Sequence, residues 1–266
     1  MKSYDLTIII PFYKKYFEFE YCLEYNYKNF KKAKEIILII DHDVKIQKLS
    51  FIKNYNLNFI IYKNSDDHPW RNPAVVLNFG LKKSTCEFVM IFSPESILLS
   101  DIDLLIQGVD SKNFNCGEVV FTTKQLFEES DYQKLNTYFN KYVIKNNLLG
   151  PLKYGSICAS KKNFKDCGLY DEKLLVWGND DDGIRERLKS IGVIQNQIKF
   201  KIVHIEFSSN IKYFKKSKNK TNKNIFKEIV DSMTIDEKTK FFSQNPSILK
   251  QLISNLPNLK NILNYQ

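Results

Sequence analysis

Arginine is scarce in this sequence. Only Arg71, Arg185 and Arg187 are arginine, and the other 37 of the 40 basic residues are lysine. Arginine is the side chain that most often reads base edges, and no nucleic-acid-binding motif is visible, so nucleic acid is not an expected partner. In a lysine-rich chain, the rare planar guanidinium groups draw attention to the segments that contain them.

Cysteine pairs and long apolar runs are also lacking. The five cysteines are scattered, odd in number and without a C-x-x-C pair. We therefore expect reduced, buried thiols, as in a cytoplasmic protein. No segment approaches the roughly 20 apolar residues of a membrane span, and Asp5 precedes only a short apolar run, so neither a membrane helix nor a signal peptide is predicted.

The positive charge is uneven along the 266 residues. The net charge is +10, and residues 211–266 alone contain 11 lysines against four acidic residues. We expect a main domain at residues 1–210 and a lysine-rich, helical C-terminal extension at 211–266. A solvated lysine surface explains this charge, and the alternative is peripheral contact with an anionic membrane face or an acidic partner.

The first 120 residues alternate short apolar runs with amphipathic stretches. Apolar runs that are not interrupted by polar residues at every second position are typical of strands buried on both faces. The sequence therefore predicts βαβ units and a mainly parallel sheet flanked by helices. Ligands bind beyond the carboxyl ends of such strands. The predicted strands are Leu6–Ile10, Glu35–Ile40, Leu57–Tyr62 and Glu87–Phe92, and the predicted helices are Tyr16–Phe30 and Asn72–Lys83.

The strict alternation stops after about residue 115. Three more strands are predicted at Val119–Thr122, Gly155–Ala159 and Ile202–Ile205, and two helices at Tyr132–Ile144 and Asp180–Ser190. The last helix begins with three consecutive carboxylates behind Trp177-Gly178. Because one acid is enough to cap a helix, the acidic block indicates a further role.

Six segments carry short motifs in a fixed order along the chain: Thr7–Tyr13, Glu35–Asp41, Trp70–Leu81, Gly155-Ser156, Gly168–Glu172 and Asp180–Leu188. Together, over roughly residues 4–206, they resemble the family 2 glycosyltransferases of GT-A fold. The Trp177-Gly178 prefix is similar to the WGxED block of β-1,4-galactosyltransferases and some bacterial polysaccharide polymerases. The resemblance implies a Rossmann-like α/β domain that acts on a nucleotide sugar.

The resemblance implies a nucleotide site made by Pro11, Tyr13, Asp41, Arg71 and Asn78. Asp41 would accept hydrogen bonds from a uracil or ribose edge, and its alternative is an acid in a turn. The forked Arg71 side chain suits a diphosphate, although a surface ion pair is the alternative. For Asn78, holding the nucleotide loop and a purely structural role are both open.

The metal site departs from the family pattern. The family places D-x-D after the fourth strand, where Mn²⁺ or Mg²⁺ neutralises the departing diphosphate. Here that place reads Ser93-Pro94-Glu95, and the literal Asp101-Ile102-Asp103 is better explained by helix capping. We expect Glu95 and His204 to be the ligands, and a packed core histidine is the alternative for His204.

The acidic block is expected to supply the general base. Asp181 would take the proton of the acceptor hydroxyl, and Asp180 would bond the acceptor, with Trp177, Gly178 and Asp182 beside them. The helix dipole is expected to keep Asp181 ionised. The alternative is that the acids only cap the helix while Asp181 pairs with Arg185 four residues on.

These expectations combine into an inverting glycosyltransferase. It would use a nucleotide sugar, with UDP as the first candidate, and a glycan or lipid-linked glycan acceptor in bacterial surface polysaccharide synthesis (capsule or lipooligosaccharide) at the cytoplasmic membrane face. The main alternative is a non-catalytic nucleotide-sugar or glycan-binding module that has lost D-x-D. A nucleotidyltransferase and a basic interaction protein are further alternatives.

Overall fold

A computed structural model describes residues 3–13, 15–40, 45–63, 73–128, 153–172, 180–196 and 200–206. All of them belong to one compact unit. The predicted helix Tyr132–Ile144 and the predicted extension at 211–266 lie outside the described residues. The domain boundary at residue 210 therefore stays a prediction.

The described elements alternate strands and helices along the chain. The first half contains β1 (Tyr4–Phe12), α1 (Tyr16–Phe30), β2 (Ala33–Ile40), a 3₁₀ helix (Ile46–Asn54), β3 (Phe59–Lys63), α2 (Pro73–Lys83) and β4 (Phe88–Ile91). The second half contains β5 (Ser96–Leu98), α3 (Ile102–Ile106), β6 (Asn113–Thr123), α4 (Lys124–Glu128), β7 (Lys153–Ser160), α5 (Lys161–Asp166), α6 (Asp180–Ser190), β8 (Ile194–Gln195) and β9 (Phe200–Glu206).

The sequence predictions for the long elements are confirmed. The helices Tyr16–Phe30 and Asp180–Ser190 have their predicted bounds, and the helix predicted from Asn72 is described from Pro73. The strand predicted at Val119–Thr122 is the end of the 11-residue β6. The short β5, β8, α4 and α5 and the 3₁₀ helix were not predicted, because none of them stands out in the sequence as a continuous apolar run or a long amphipathic stretch.

The sheet combines a parallel half with a mixed half. Its strand order is β3-β2-β1-β4-β7-β6-β9-β5, and β8 pairs with β6. The first four strands in this order are parallel, as predicted. In the other half, β7 runs antiparallel to both β4 and β6, β9 is parallel to β6, and β5 is antiparallel to β9.

Both faces of the parallel half are covered by apolar side chains. In β1, Ile8 and Ile10 join a cluster with Phe19 of α1, whereas Ile9 joins a second cluster with Leu77 of α2. Successive side chains of a strand point to opposite faces, so a strand covered on both faces needs an unbroken apolar run. This explains the sequence pattern of β1 and β2.

The literal D-x-D motif belongs to a helix cap, as predicted. The Asp101 side chain accepts a hydrogen bond from the Asp103 backbone N–H at 2.9 Å, and the Lys32 ammonium contacts both carboxylates at 2.6 and 3.0 Å. These contacts account for both acids without a metal ion.

The five cysteines are all buried free thiols, as predicted. Within the residues that the structure describes, no helix combines the length and apolarity needed to cross a membrane.

Helix α2 lies very close to the sheet at Gly80. A Cβ atom at this position would lie 2.5 Å from Cδ1 of Ile39 and 2.7 Å from Cγ2 of Ile9. Both isoleucines are fully buried. Glycine at residue 80 therefore sets the distance between α2 and strands β1 and β2.

We predict that Gly80→Ala destabilises the protein by about 1–3 kcal/mol, because the added methyl group overpacks a closed core. The matched control is Gly183→Ala in α6, where a Cβ would meet nothing within 4 Å. That variant should be neutral or more stable by up to about 1 kcal/mol. Urea denaturation measures both, and equal stability of the two variants would contradict the close approach.

Candidate active site at the carboxyl edge of the sheet

The parallel strands end together at one edge of the sheet. In the strand register Phe12 of β1 lies beside Ile40 of β2, Ile40 lies beside Lys63 of β3, and Ile9 lies beside Ile91 of β4. The segments that follow these strands therefore share one edge, where ligands bind in open α/β sheets. We name this place the carboxyl edge.

Two predicted nucleotide-site residues lie at the end of β1. Pro11 is the penultimate residue of the strand and is buried, while Tyr13 follows the strand and is half-buried. Asp41 comes directly after β2 in the chain, but it and Arg71 lie outside the described residues. Trp177 and Gly178 also lie outside them.

The structure brings the two predicted metal ligands together. Glu95 follows β4 in the turn before β5, and its backbone carbonyl accepts a hydrogen bond from Ile205 at 2.8 Å. His204 of β9 pairs with Ser96 of β5. As a result, Nε2 of His204 lies 3.8 Å from Oε1 of Glu95. Strand β5, which sequence reasoning missed, is the element that joins the two residues.

The Glu95 carboxylate is poorly satisfied by its surroundings. Its side chain is 13% exposed and that of His204 is 17% exposed. Among the described residues, Oε2 of Glu95 has no hydrogen-bond partner. Buried carboxylate oxygens are normally paired or coordinate a metal, so an unpaired oxygen beside an imidazole fits a divalent cation. A group of three metal-binding side chains is not found in the described part of the chain.

His204 has a second polar neighbour. Its Nδ1 lies 3.5 Å from Oγ of Ser96, at the outer limit of a hydrogen bond. A histidine that binds a metal through one ring nitrogen commonly bonds a protein group through the other. These polar neighbours fit a metal ligand and a hydrogen-bonded core histidine alike.

A backbone irregularity lies at the same edge. Strand β7 is antiparallel to β4, with Met90 beside Cys158, so Ser156 lies beyond the end of β4. The pairing of β7 with β6 shifts register between Cys116 and Gly117, and Ser156 has a φ of 53°. Positive φ is costly for a residue with a side chain and clusters at functional sites. The Gly155-Ser156 segment, which is one of the segments that carry the sequence resemblance, is thus locally strained.

The acidic block begins α6 as predicted, and this helix packs beside β6 and β7. Ile184 and Leu188 of α6 are buried in one cluster with Cys116 and Ile157. Asp181 lies one turn before Ile184, and its charge acts on the Cys116 thiol, whose pKa is raised by burial and further by Asp181. Cys116 pairs with Ile157 near the carboxyl edge of the sheet. Asp181, whose charge acts on Cys116, therefore also lies near the carboxyl edge.

Burial, rather than the helix dipole, dominates the ionisation of Asp181. Burial and then the neighbouring Asp180 carboxylate raise the pKa of Asp181 to about 7, with Asp182 adding to them and Arg185 opposing them. The expectation that the helix dipole keeps this carboxylate ionised at neutral pH is therefore met only in part, because a carboxyl group with a pKa of about 7 is about half ionised there. A pKa near the working pH is what an efficient general base needs.

The ion pair of Arg185 is with Asp182 rather than Asp181. Its Nη2 contacts the Asp182 carboxylate, and its Nε donates to the backbone carbonyl of Asp181 at 3.3 Å. The alternative in which the Asp181 carboxylate pairs with Arg185 is thus not the arrangement found. Asp182, predicted on the acceptor side, is 68% exposed.

Asn78 connects α2 to the segment after α5. Its amide donates to the Tyr170 carbonyl and to Oε1 of Glu172, each at 2.9 Å, and its carbonyl accepts from the Tyr170 N–H at 2.9 Å. Both ends of this buried amide are thus used inside the protein. Its contacts are those of a structural residue.

No protein-family model and no curated protein sequence matches this chain. Solved structures match its fold. A mannosyltransferase from Pyrobaculum calidifontis, PcManGT in complex with GDP-Man and Mn²⁺, aligns over 88% of this chain with a TM-score of 0.52 at 14% identity. GalNAc-T7 with UDP, GalNAc and Mn²⁺ aligns over 77% with a TM-score of 0.54 at 13% identity.

A third structure, S. aureus TarS 1–349 with UDP-GlcNAc, aligns over 79% of this chain with a TM-score of 0.52 at 14% identity. The chain has the GT-A fold. The alignments cover 66% of PcManGT, 44% of GalNAc-T7 and 60% of the TarS chain. The chain therefore matches only part of each relative's length, and at these identities the likeness is one of fold.

We predict that Asp181→Asn stabilises the protein above pH 7 and has little effect at pH 4. Folded Asp181 keeps its proton up to about pH 7, whereas the pKa of the free side chain is 3.8. The native state therefore loses stability as the pH rises between these values, by at most about 4 kcal/mol. An asparagine avoids this loss.

Thermal unfolding of wild type and variant from pH 4 to 8.5 measures this difference. The control is Asp182→Asn, which removes an exposed ion pair and should cost between about 0 and 1 kcal/mol. A gain in Tm for Asp181→Asn that does not grow between pH 5 and pH 8 would contradict the raised pKa of the Asp181 carboxyl group.

Proposed function

We propose that this chain is an inverting glycosyltransferase that transfers a sugar from a nucleotide sugar to a hydroxyl group of a glycan. The observation that carries the proposal is the half-buried Glu95–His204 pair, with its unpaired carboxylate oxygen, at the carboxyl edge of a GT-A fold. Fold alone does not imply function, so the proposal depends on this site.

The proposed donor is a nucleoside diphosphate sugar. Structures of similar fold contain GDP-Man, UDP with GalNAc, or UDP-GlcNAc, which supports this donor class without choosing the base. UDP is our first candidate. Pro11 and Tyr13 at the end of β1, together with Asp41 and Arg71, would hold the nucleotide.

Glu95 and His204 would hold Mn²⁺ or Mg²⁺. Of the two cations, one carboxylate and one imidazole suit Mn²⁺ better, because Mg²⁺ is a hard cation that prefers oxygen ligands. Such a cation supplies positive charge that neutralises the departing diphosphate. The Mn²⁺ in two structures of similar fold supports this assignment.

Asp181 would act as the general base. Its carboxylate would accept the proton of the acceptor hydroxyl while that oxygen forms a bond to the anomeric carbon and the bond from this carbon to the diphosphate oxygen breaks. Attack from the face opposite the leaving group inverts the anomeric carbon, so an α-linked donor gives a β-glycoside. Asp180 would orient the acceptor, with Trp177, Gly178 and Asp182 beside it.

A non-catalytic nucleotide-sugar or glycan-binding module is the second candidate. It is favoured by one observation: within the described ranges, the metal-binding side chains form no group of three. A module of this kind would bind the nucleotide sugar without releasing the nucleoside diphosphate.

We further propose surface polysaccharide synthesis at the inner membrane face, with a glycan or lipid-linked glycan as acceptor. The lysine-rich residues 211–266 would contact anionic lipid, which accounts for their charge. Truncation before Ile211 should abolish sedimentation with vesicles that contain phosphatidylglycerol and leave neutral vesicles unaffected. Unchanged sedimentation would remove the membrane contact from the proposal.

We predict that one class of nucleotide sugar stabilises the protein in the presence of Mn²⁺ but not of EDTA. Binding at 100 times Kd adds about 2.7 kcal/mol, which is readily seen as a shift in Tm. Thermal unfolding with UDP-, GDP-, CDP- and dTDP-sugars identifies the class, and release of nucleoside diphosphate separates the enzyme from the binding module.

Glu95→Gln should abolish the Mn²⁺-dependent part of this shift, because the amide cannot replace a charged ligand. The matched control, Glu87→Gln, changes an exposed side chain before β4 and should leave the shift intact. No stabilisation by any nucleotide sugar would refute the transferase proposal and the binding-module alternative together.

A further inference from the structure

Asn26 is a polar residue on the buried face of α1. The other buried residues of this helix are apolar, namely Phe19, Cys22, Leu23 and Phe30. Asn26 is 2% exposed, and asparagine favours a helix less than leucine or alanine does. Apolar packing and helix formation therefore do not explain an amide at this position, and the explanation must lie in its hydrogen bonds.

The Asn26 amide binds the backbone of β5 at two points. Its Nδ2 donates to the Ser96 carbonyl, and its Oδ1 accepts from the Leu98 N–H, each at 2.8 Å. In a parallel sheet, one residue binds the carbonyl and the N–H that flank its neighbour in the same way. The side chain of Asn26 thus takes the role that one residue of a neighbouring strand would have.

The two edges of β5 are bonded by different elements. The inner edge pairs with β9, where the Ile205 N–H donates to the Glu95 carbonyl at 2.8 Å and the Leu99 N–H donates to the Lys201 carbonyl at 2.9 Å. Backbone groups alternate in direction along a strand, so those of the residues in between point away from β9. Within the described sheet β5 is the last strand, and its outer edge is bonded by α1.

Asn29, one turn later in α1, binds the other end of β5. Its Nδ2 donates to the carbonyls of Leu98 and Ser100 at 3.3 and 3.1 Å, and its Oδ1 accepts from the Ile102 N–H at 2.9 Å. Asn26 therefore holds the beginning of β5, and Asn29 holds its end. The two amides form a matched pair, because they lie on one helix and bind one strand.

We propose that Asn26 is a positioning residue: by binding the outer edge of β5, it keeps the Glu95 carboxylate beside the His204 imidazole. Ser96, whose carbonyl Asn26 binds, follows Glu95 directly and pairs with His204 across the sheet. Strand β5 has three residues, so its pairing with β9 provides few hydrogen bonds. A shift of this strand would change the 3.8 Å separation of His204 Nε2 and Glu95 Oε1.

This positioning matters for a metal site because its ligands must be held to within about 0.5 Å of their working geometry. That the Glu95–His204 pair binds a divalent cation rests on the proposed function, whereas the positioning of the pair does not. The positioning can therefore be tested in the metal-free protein, and its consequence can be tested with Mn²⁺.

Hydrogen exchange of the metal-free protein, followed by NMR, tests the positioning. Asn26→Leu removes both hydrogen bonds, keeps a similar volume and suits a helix, and Asn29→Leu is the matched control. The exchange rate of the Ile205 N–H relative to that of the Leu99 N–H should rise about 10-fold or more in Asn26→Leu but not in Asn29→Leu. This ratio compares the two ends of β5, so a general loss of stability cancels. An equal ratio in the two variants would overturn the proposal.

The affinity for Mn²⁺ alone, measured from the EPR signal of the free ion, tests the consequence. Asn26→Leu should weaken Mn²⁺ binding about 10-fold or more, while Asn29→Leu should bind as wild type does. Both variants should lower Tm by about 3–10 °C, so a purely structural role would not separate them. Unchanged affinity in Asn26→Leu, or equal weakening in both, would contradict the proposal. A wild type that binds no Mn²⁺, with the exchange ratio raised in Asn26→Leu, would support the positioning and refute only the metal site of the proposed function.

Two further measurements apply if a leucine variant does not fold. Asn26→Ala and Asn29→Ala form a second pair, for which the same difference is expected. In wild type, coupling between two sites is reciprocal, so Mn²⁺ should slow exchange of the Leu98 N–H, held by Asn26, more than that of the Ile102 N–H, held by Asn29. Mass spectrometry after quenching reads both amides, and equal slowing of the two would overturn the proposal.

Discussion

The pairing of β1 with β2 and β4 is the constraint on which the rest of the structure depends. These strands are parallel and covered on both faces, so their carboxyl ends must meet at one edge. The close approach of α2 at Gly80 requires the same packing. Once this register is set, Tyr13 and Glu95 share that edge, and the antiparallel β7 brings the strained Ser156 there as well. The candidate site is therefore a consequence of strand order.

Two half-buried carboxylates near this edge are poorly compensated. Glu95 has an oxygen with no partner in the described part of the chain, and Asp181 lies where burial and Asp180 penalise its charge. Elsewhere the protein satisfies such a group: buried Glu35 accepts hydrogen bonds from Thr7 and from both the backbone and side chain of Thr85. This contrast supports the proposal that Glu95 and Asp181 serve binding or chemistry.

Much of the fold and part of the site could be predicted from sequence. The unbroken apolar runs of β1 and β2 and the amphipathic α1 and α6 carry enough periodicity to predict their type and extent. Short β5 carries no such signal, so the joining of Glu95 to His204 emerged only with the structure. The direction in which the pKa of Asp181 shifts depends on burial by residues distant in the sequence, which the local sequence does not show.

The most direct test of Asp181 as the general base is the rate of nucleoside diphosphate release as a function of pH, with the donor sugar that stabilises the protein and Mn²⁺ present. We expect a rate in wild type that rises with a midpoint near pH 7, as Asp181 loses its proton, and a loss of about 100-fold or more in Asp181→Asn. The control Asp103→Asn, which changes an exposed side chain of α3, should remain active. Equal rates in wild type and Asp181→Asn would show that the carboxylate takes no part in the transfer.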